Sequence, residues 1–207
     1  MVRMRIHVFL AVPLLSLLLC SCASSGRKFT VDRDQLQLGS FTRDQAATFF
    51  GKPDRYMTRA TTNGLFEIDH YAYSELSFGT VATRVLFLEF KDGKLNGYSY
   101  GSSFDADKTK FDAFSLDKLN AGVGKLTKAD VLAMEGAPDG KVRCPSSARD
   151  VAAKCSPGTE IWSWLMVGKV AVNHPQATTG QELLVSFGPD EKVSDVEMKE
   201  NHLPGPR

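Results

Sequence analysis

The chain is poor in the residues and motifs that carry most enzyme chemistry. It has four histidines in 207 residues. His70, His174 and His202 stand far apart, none with a second histidine three or four positions away. No G-x-S-x-G, H-E-x-x-H or Walker sequence is present. An excess of one charge is missing too. Lys and Arg number 25 against 24 Asp and Glu, a formal net charge of +1, which argues against a nucleic-acid partner. After residue 19 no long apolar run recurs, so no later segment is expected to span a bilayer. The nearest approach to an acid pair is Glu67 and Asp69, flanking Ile68 on an expected strand. Two carboxylates at i, i+2 share a face and raise each other's pKa when close. Nothing nearby in the sequence completes a mechanism, and a solvated strand face is the simpler reading. The expectation is a non-enzymatic protein without metal or cofactor.

What is present begins at the N-terminus. Arg3 and Arg5 form a basic n-region, and residues 6–19 form an apolar h-region too short for a spanning helix. Leu19-Cys20-Ser21-Cys22 follows. Small Ser21 precedes Cys22, and a Leu stands three before it. That is the pattern of a bacterial lipobox, whose cysteine sulfur receives a diacylglycerol. Residues 1–21 are thus expected to be a lipoprotein signal peptide and Cys22 the lipid attachment. Cys20 fits worse, because bulky Leu19 would adjoin the cut. An ordinary secretory signal cleaved after Ala23 is the alternative. Two or more acyl chains anchor a protein almost permanently, at about 0.8 kcal/mol per buried CH₂. Ala23, rather than Asp, after the cysteine resembles the outer-membrane sorting signal, with the body facing the periplasm. Residues 22–30 are small, polar and basic and read as a flexible tether.

Losing Arg3 and Arg5 with the signal moves the net charge from +1 to −1, still near neutrality. A composition of 43% hydrophobic and 24% charged residues fits an ordinary globular body. Outside the cytoplasm, Cys144 and Cys155 are expected to form a disulfide across a polar loop. Closing that loop contributes about 3 kcal/mol in the chain-entropy model. Free thiols are the alternative. Zinc is disfavoured, since no histidine lies near either cysteine.

An internal repeat organises the rest. Gly39-Ser40-Phe41-Thr42 returns as Gly124-Lys125-Leu126-Thr127, and Gly51-Lys52-Pro53-Asp54 as Gly136-Ala137-Pro138-Asp139, both offset by 85 residues (39 to 124, 51 to 136). The shared residues have mechanical roles. Thr42 and Thr127 are expected helix N-caps, with Gln45 and Asp130 three residues on. Gly51 and Gly136 stop the helices, and Pro53 and Pro138 forbid continuation. Ala46, Phe49 and Phe50 give the first helix an apolar stripe; Val131 and Met134 serve the second. A further helix is expected before each cap, through Phe111, Phe114 and Leu119 in the second copy and within residues 31–38 in the first. Strands are expected at 65–74, 80–90 and 94–102, and again at 159–167, 182–187 and 192–198. The turns fall at Asp92-Gly93 and residues 188–191. Tyr71-Ala72-Tyr73 is matched with Trp162-Ser163-Trp164. The expected fold is α+β: two tandem helix-turn-helix plus antiparallel β-meander units, spanning 31–104 and 105–200, with helices on one face of the sheet and a tail at 201–207.

Lipobox, G-x-x-T, short helix, G-x-P-D and strands ending in a Phe-x-Asp-Gly turn together resemble the SmpA/OmlA lipoproteins, the BamE type of outer-membrane assembly subunit. The residues that carry this are Cys22, Gly39, Thr42, Gly51, Pro53, Asp54, Phe90 and Asp92-Gly93. The tandem arrangement resembles that of β-lactamase inhibitory proteins. The first resemblance implies a role beside the outer-membrane assembly machinery. Against it stands the second unit, where the assembly subunit has one, so the fold carries over better than the role.

Tyr71, Tyr73, Tyr98, Tyr100, Trp162 and Trp164 are the candidate partner-binding residues, since aromatic anchors dominate many interfaces; the alternative places them in the core. The leading expectation is a lipid-anchored periplasmic protein-binding or scaffold module that docks an envelope protein. The alternative is an inhibitor of an extracytoplasmic hydrolase such as a β-lactamase or peptidoglycan hydrolase, with the Cys144–Cys155 loop as plug. A third possibility is an enzyme or small-ligand carrier with a deep polar cleft.

Overall fold

The computed structural model describes residues 24–77, 80–107, 113–166, 170–171 and 178–203. The signal segment, Cys22, Phe111 and residues 204–207 of the tail lie outside them, as does the side chain of Phe114. In chain order the elements are β1 (Ser24–Ser25), α1 (Arg43–Phe50), β2 (Arg55–Thr61), β3 (Gly64–Ser77), β4 (Thr80–Lys91), β5 (Lys94–Ser102), α2 (Ala113–Ala121), α3 (Lys128–Glu135), β6 (Gly140–Arg143), α4 (Arg149–Ala152), β7 (Glu160–Met166), β8 (Val170–Ala171), β9 (Thr178–Phe187) and β10 (Val193–Leu203).

The repeated punctuation works as its chemistry requires. Thr42 Oγ1 accepts from the Gln45 amide at 3.3 Å, and Gln45 Oε1 accepts from the Thr42 amide at 2.7 Å. Thr127 and Asp130 repeat the box at 3.3 and 2.8 Å. Gly51 (φ 82°) and Gly136 (φ 76°) end the helices in a region closed to most side chains. The Gly39 amide donates to the Leu95 carbonyl and the Gly124 amide to the Val193 carbonyl, both at 2.7 Å. Each capped helix is thereby stitched to the last hairpin of its own copy.

The sheet departs from expectation. The ten strands among the described residues join one antiparallel sheet in the order β1-β3-β4-β5-β6-β7-β9-β10, with β2 beside β3 and β8 beside β4. Two tandem helix-turn-helix units, each with its own meander, are not what forms. Among the described residues the first half has one α-helix, preceded by a single 3₁₀ turn at Arg33–Gln35. The helices are not confined to one face either, because α4 sits in the disulfide loop on the opposite side from α1–α3. The reason is the β5–β6 pairing, Gly97 with Val142 and Ser99 with Gly140. A Cβ on Gly97 would lie 2.6 Å from Val142 Cγ2, and one on Gly140 would collide with Ser163 Oγ. Two glycines at this seam let the halves meet edge to edge.

The expected tether is also built into the body from Ser24 onward. Ser24 pairs with Glu75 and Ser25 with Ser74. Phe29 is buried against Phe50 and Tyr71, at centroid distances of 6.1 and 6.4 Å. An aromatic side chain so covered stabilises by roughly 2–3 kcal/mol, enough to hold a short polar stretch in place.

Two core clusters lie under the helices. The first gathers Ala46 and Phe50 of α1 with Tyr71, Tyr73, Leu86, Leu88, Phe90, Tyr98 and Tyr100. The second gathers Leu119 of α2 and Val131 of α3 with Trp162, Trp164, Leu183, Val185 and Phe187. Helices of eight or nine residues are marginal in isolation, so this packing is what keeps them folded.

Candidate interaction surface

Strand alternation divides the sheet cleanly. Leu86, Leu88 and Phe90 of β4 point to the core under α1, while Phe87 and Glu89 between them point the other way. Cross-strand partners follow: Ile68 opposes Glu89 and His70 opposes Phe87. On this second face a cavity of about 440 Å³ opens, floored by Ile68, Phe87, Val142, Ile161 and Leu184 and edged by Met57, Arg59, Glu182 and Lys199. Phe87 is 41% exposed and Met57 44%.

One wall is the disulfide loop. Cys144 and Cys155 are bonded, with Cα atoms 5.2 Å apart, as expected of the two cysteines. The loop between them is pinned to the sheet by Glu89, a buried carboxylate. Its Oε2 accepts from the Ser147 amide at 2.9 Å, from Ser146 Oγ at 3.2 Å and from Ser147 Oγ. Its Oε1 accepts from Asn96 Nδ2 at 2.8 Å, and Asn96 also reaches the Pro145 carbonyl at 3.0 Å. Arg59 donates to the Ser147 carbonyl. A buried charge with this many donors is satisfied, and removing it would strand several of them.

His70 lies beside the cavity floor, its ring 4.7 Å from that of Phe87. Burial lowers its pKa from the ordinary 6.5, Asp54 opposing and Arg55 adding to the shift. Among the described residues no group of three or more His, Cys, Asp or Glu is placed to hold a metal ion.

The side chains of the six aromatic candidates do not belong to this face, although Tyr98 touches the cavity. Tyr71, Tyr73, Tyr98, Tyr100, Trp162 and Trp164 are each at most 6% exposed and belong to the core beneath the helices. This corrects the partner-binding assignment: their strand parity is that of Leu86 and Leu88, and the short helices need large rings to cover. Burial pushes the Tyr71 and Tyr100 hydroxyls up to about 12.

Glu67 and Asp69 form neither an acid pair nor a bare solvated face. Arg43, just after the Thr42 cap, binds Asp69 through two nitrogens at 2.9 and 3.1 Å and Glu67 at 3.0 Å. Its guanidinium lies 4.2 Å from the Tyr56 ring centroid. Hydrogen bonding to Asp69 raises the Arg43 pKa, so the three groups form a structural clamp. In the second copy Lys128 meets Glu160 at 3.3 Å.

Sequence reasoning missed Met57, Arg59, Phe87, Glu89 and the Ser146-Ser147 pair. A signal for Phe87 existed. The run Val85 to Phe90 is apolar at five of six positions, which marks both faces of a strand as apolar.

No protein-family model matches the chain, and no curated protein sequence matches it. Among solved structures, one similar chain is a "putative beta-lactamase inhibitor protein" from Streptococcus mutans. It shares 15% identity at a TM-score of 0.44, over 83% of this chain and 90% of that one.

Proposed function

We propose that the protein is a non-catalytic, lipid-anchored module of the outer membrane that binds another envelope protein through the cavity-bearing face of its sheet, the one opposite α1–α3. The observation that carries this reading is exposed Phe87 and Met57 standing beside a disulfide loop already fixed by Glu89. Apolar side chains left open on a rigid sheet form the centre of many protein interfaces, and a preorganised loop beside them lowers the ordering cost of association. A neutral overall charge fits a partner recognised by shape. The lipobox at Cys22 would supply the anchor, and the outer-membrane assembly machinery is the first partner to examine. Replacing Phe87 and Met57 by Glu tests the reading, since both are exposed and the fold should tolerate the change. Affinity capture from membranes should recover a defined envelope protein with the parent and lose it with the double variant. Equal recovery from both would refute the assignment of this face.

One feature favours a second reading, inhibition of an extracytoplasmic hydrolase. The bridged loop is stiff and stands at the rim of an open cavity, as a plug for an active site would. Titration against β-lactamase and peptidoglycan-hydrolase activity decides it: a stoichiometric fall in rate supports inhibition, and an unchanged rate at micromolar protein eliminates it.

A further inference from the structure

The N-terminal segment fixes how the body sits relative to its anchor. Ser24 and Ser25 pair antiparallel with Glu75 and Ser74. This direction carries the chain, read backwards from Ser25 to Ser24, toward the end of the sheet where Ser77 of β3 pairs with Thr80 of β4. The contacts that follow lock the segment. Gly26, at φ 82°, lies so close to the Ala72 carbonyl that any Cβ would overlap it. The Phe29 carbonyl accepts from Arg84 Nη1 at 3.1 Å, and Arg84 is itself held by Asp107 at 2.6 Å.

Cys22 precedes Ser24 by two residues, a reach of at most ~7 Å. We infer that the sheet end carrying Ser77 and Thr80 is held directly against the lipid headgroups. The opposite end, with the β2–β3 turn at Asn63 and the β4–β5 turn at Asp92-Gly93, then points away from the membrane. This rests on Cys22 being the acylated residue. Strand β3 has 14 residues, so the two ends are separated by roughly 45 Å. Leu76, 37% exposed near the inner end, suits the headgroup boundary. A freely tethered body would tumble; a body joined within two residues of its anchor presents one constant aspect to partners in the periplasm.

The test uses the acylated protein in phospholipid vesicles carrying nitroxide-labelled lipid. A fluorophore is attached, under conditions that keep the disulfide, to Leu76→Cys in one variant and to Asn63→Cys in another. Several-fold stronger quenching at position 76 is the expected result. Equal quenching at the two positions, with Cys22 shown to be acylated by intact mass, overturns the orientation alone. A Cys22 without acyl groups overturns the anchoring reading beneath it. A long Gly/Ser insertion between Ala23 and Ser24 should abolish the difference. If the difference survives that insertion, the short connection is not its cause.

Discussion

Tyr71 and Trp164 make the same contact beside two like G-x-P-D sequences. The Tyr71 hydroxyl donates to the Gly51 carbonyl at 3.4 Å, and Trp164 Nε1 donates to the Gly136 carbonyl at 3.3 Å. The residues that follow them, Ala72 and Leu165, donate their amides to Asp54 and Asp139 at 2.6 and 2.8 Å. The G-x-P-D sequence is therefore a clasp: its glycine ends a helix and offers a carbonyl, and its aspartate receives the neighbouring strand. The separation is 20 residues in the first copy and 28 in the second. The longer connection after Gly136 contains the disulfide loop, so the wall of the cavity-bearing face is an insertion between that helix and its strand.

Truncating Trp164 should cost more than breaking the clasp. Trp164→Ala is expected to destabilise by about 3–5 kcal/mol, because the side chain is fully buried. Tyr71→Phe keeps the ring and loses one long hydrogen bond, for about 0.5–1.5 kcal/mol. Chemical denaturation followed by intrinsic fluorescence or circular dichroism checks the order.

The two capping boxes should contribute alike. Thr42→Ala and Thr127→Ala are each expected to cost about 1 kcal/mol. The capped helices pack on separate core clusters, so the double variant should show the sum. A markedly larger effect at one site would mean that the copies are not energetically equivalent.

Glu89→Ala should loosen the disulfide loop without unfolding the sheet. Hydrogen bonds to a charged group contribute about 1.5–3 kcal/mol, and Ser146, Ser147 and Asn96 all lose their acceptor together. Hydrogen exchange should accelerate at the Ser147 amide and through α4, while β4 and β5 stay protected. Unchanged exchange in the loop would show that the disulfide alone fixes it.

His70 should make stability fall in mild acid. Burial against Phe87 depresses its pKa below 6.5 in the folded protein. As pH drops through about 6.5, the unfolded chain takes up a proton that the folded one still refuses, so stability declines. The decline ends once pH passes the lower, folded-state value. Above pH 6.5 both states are neutral and this contribution is flat. His70→Phe should remove the slope, measured as the urea midpoint against pH.

Local chemistry was legible in the sequence and long-range pairing was not. Thr42, Thr127, Gly51 and Gly136 act within a few residues of themselves, so spacing alone reveals them. The β4–β5 turn is equally local, with Asp92 and Gly93 at φ 52° and 73°. The strand at Arg55–Thr61 is exposed along most of its length and shows no alternation to read. The strand at Gly140–Arg143 has only four residues. The fusion of the halves depends on Gly97 and Gly140, which carry no hydrophobic signal. The aromatic match slipped by two residues, setting Tyr71 against Trp162 instead of Trp164, because the loop insertion shifts the second copy. That slip did not cause the misassigned partner set, which failed on burial: strands that cover short helices need their largest rings facing inward.

Site-specific photo-crosslinking in intact envelopes reads out which face of the sheet meets a partner. A photoreactive phenylalanine analogue replaces Phe87 on the cavity-bearing face or, as a control, Phe49, which is 52% exposed on α1. A discrete adduct with one envelope protein is expected from position 87 and none from position 49. The same adducts from both positions, or none from position 87, would contradict that expectation.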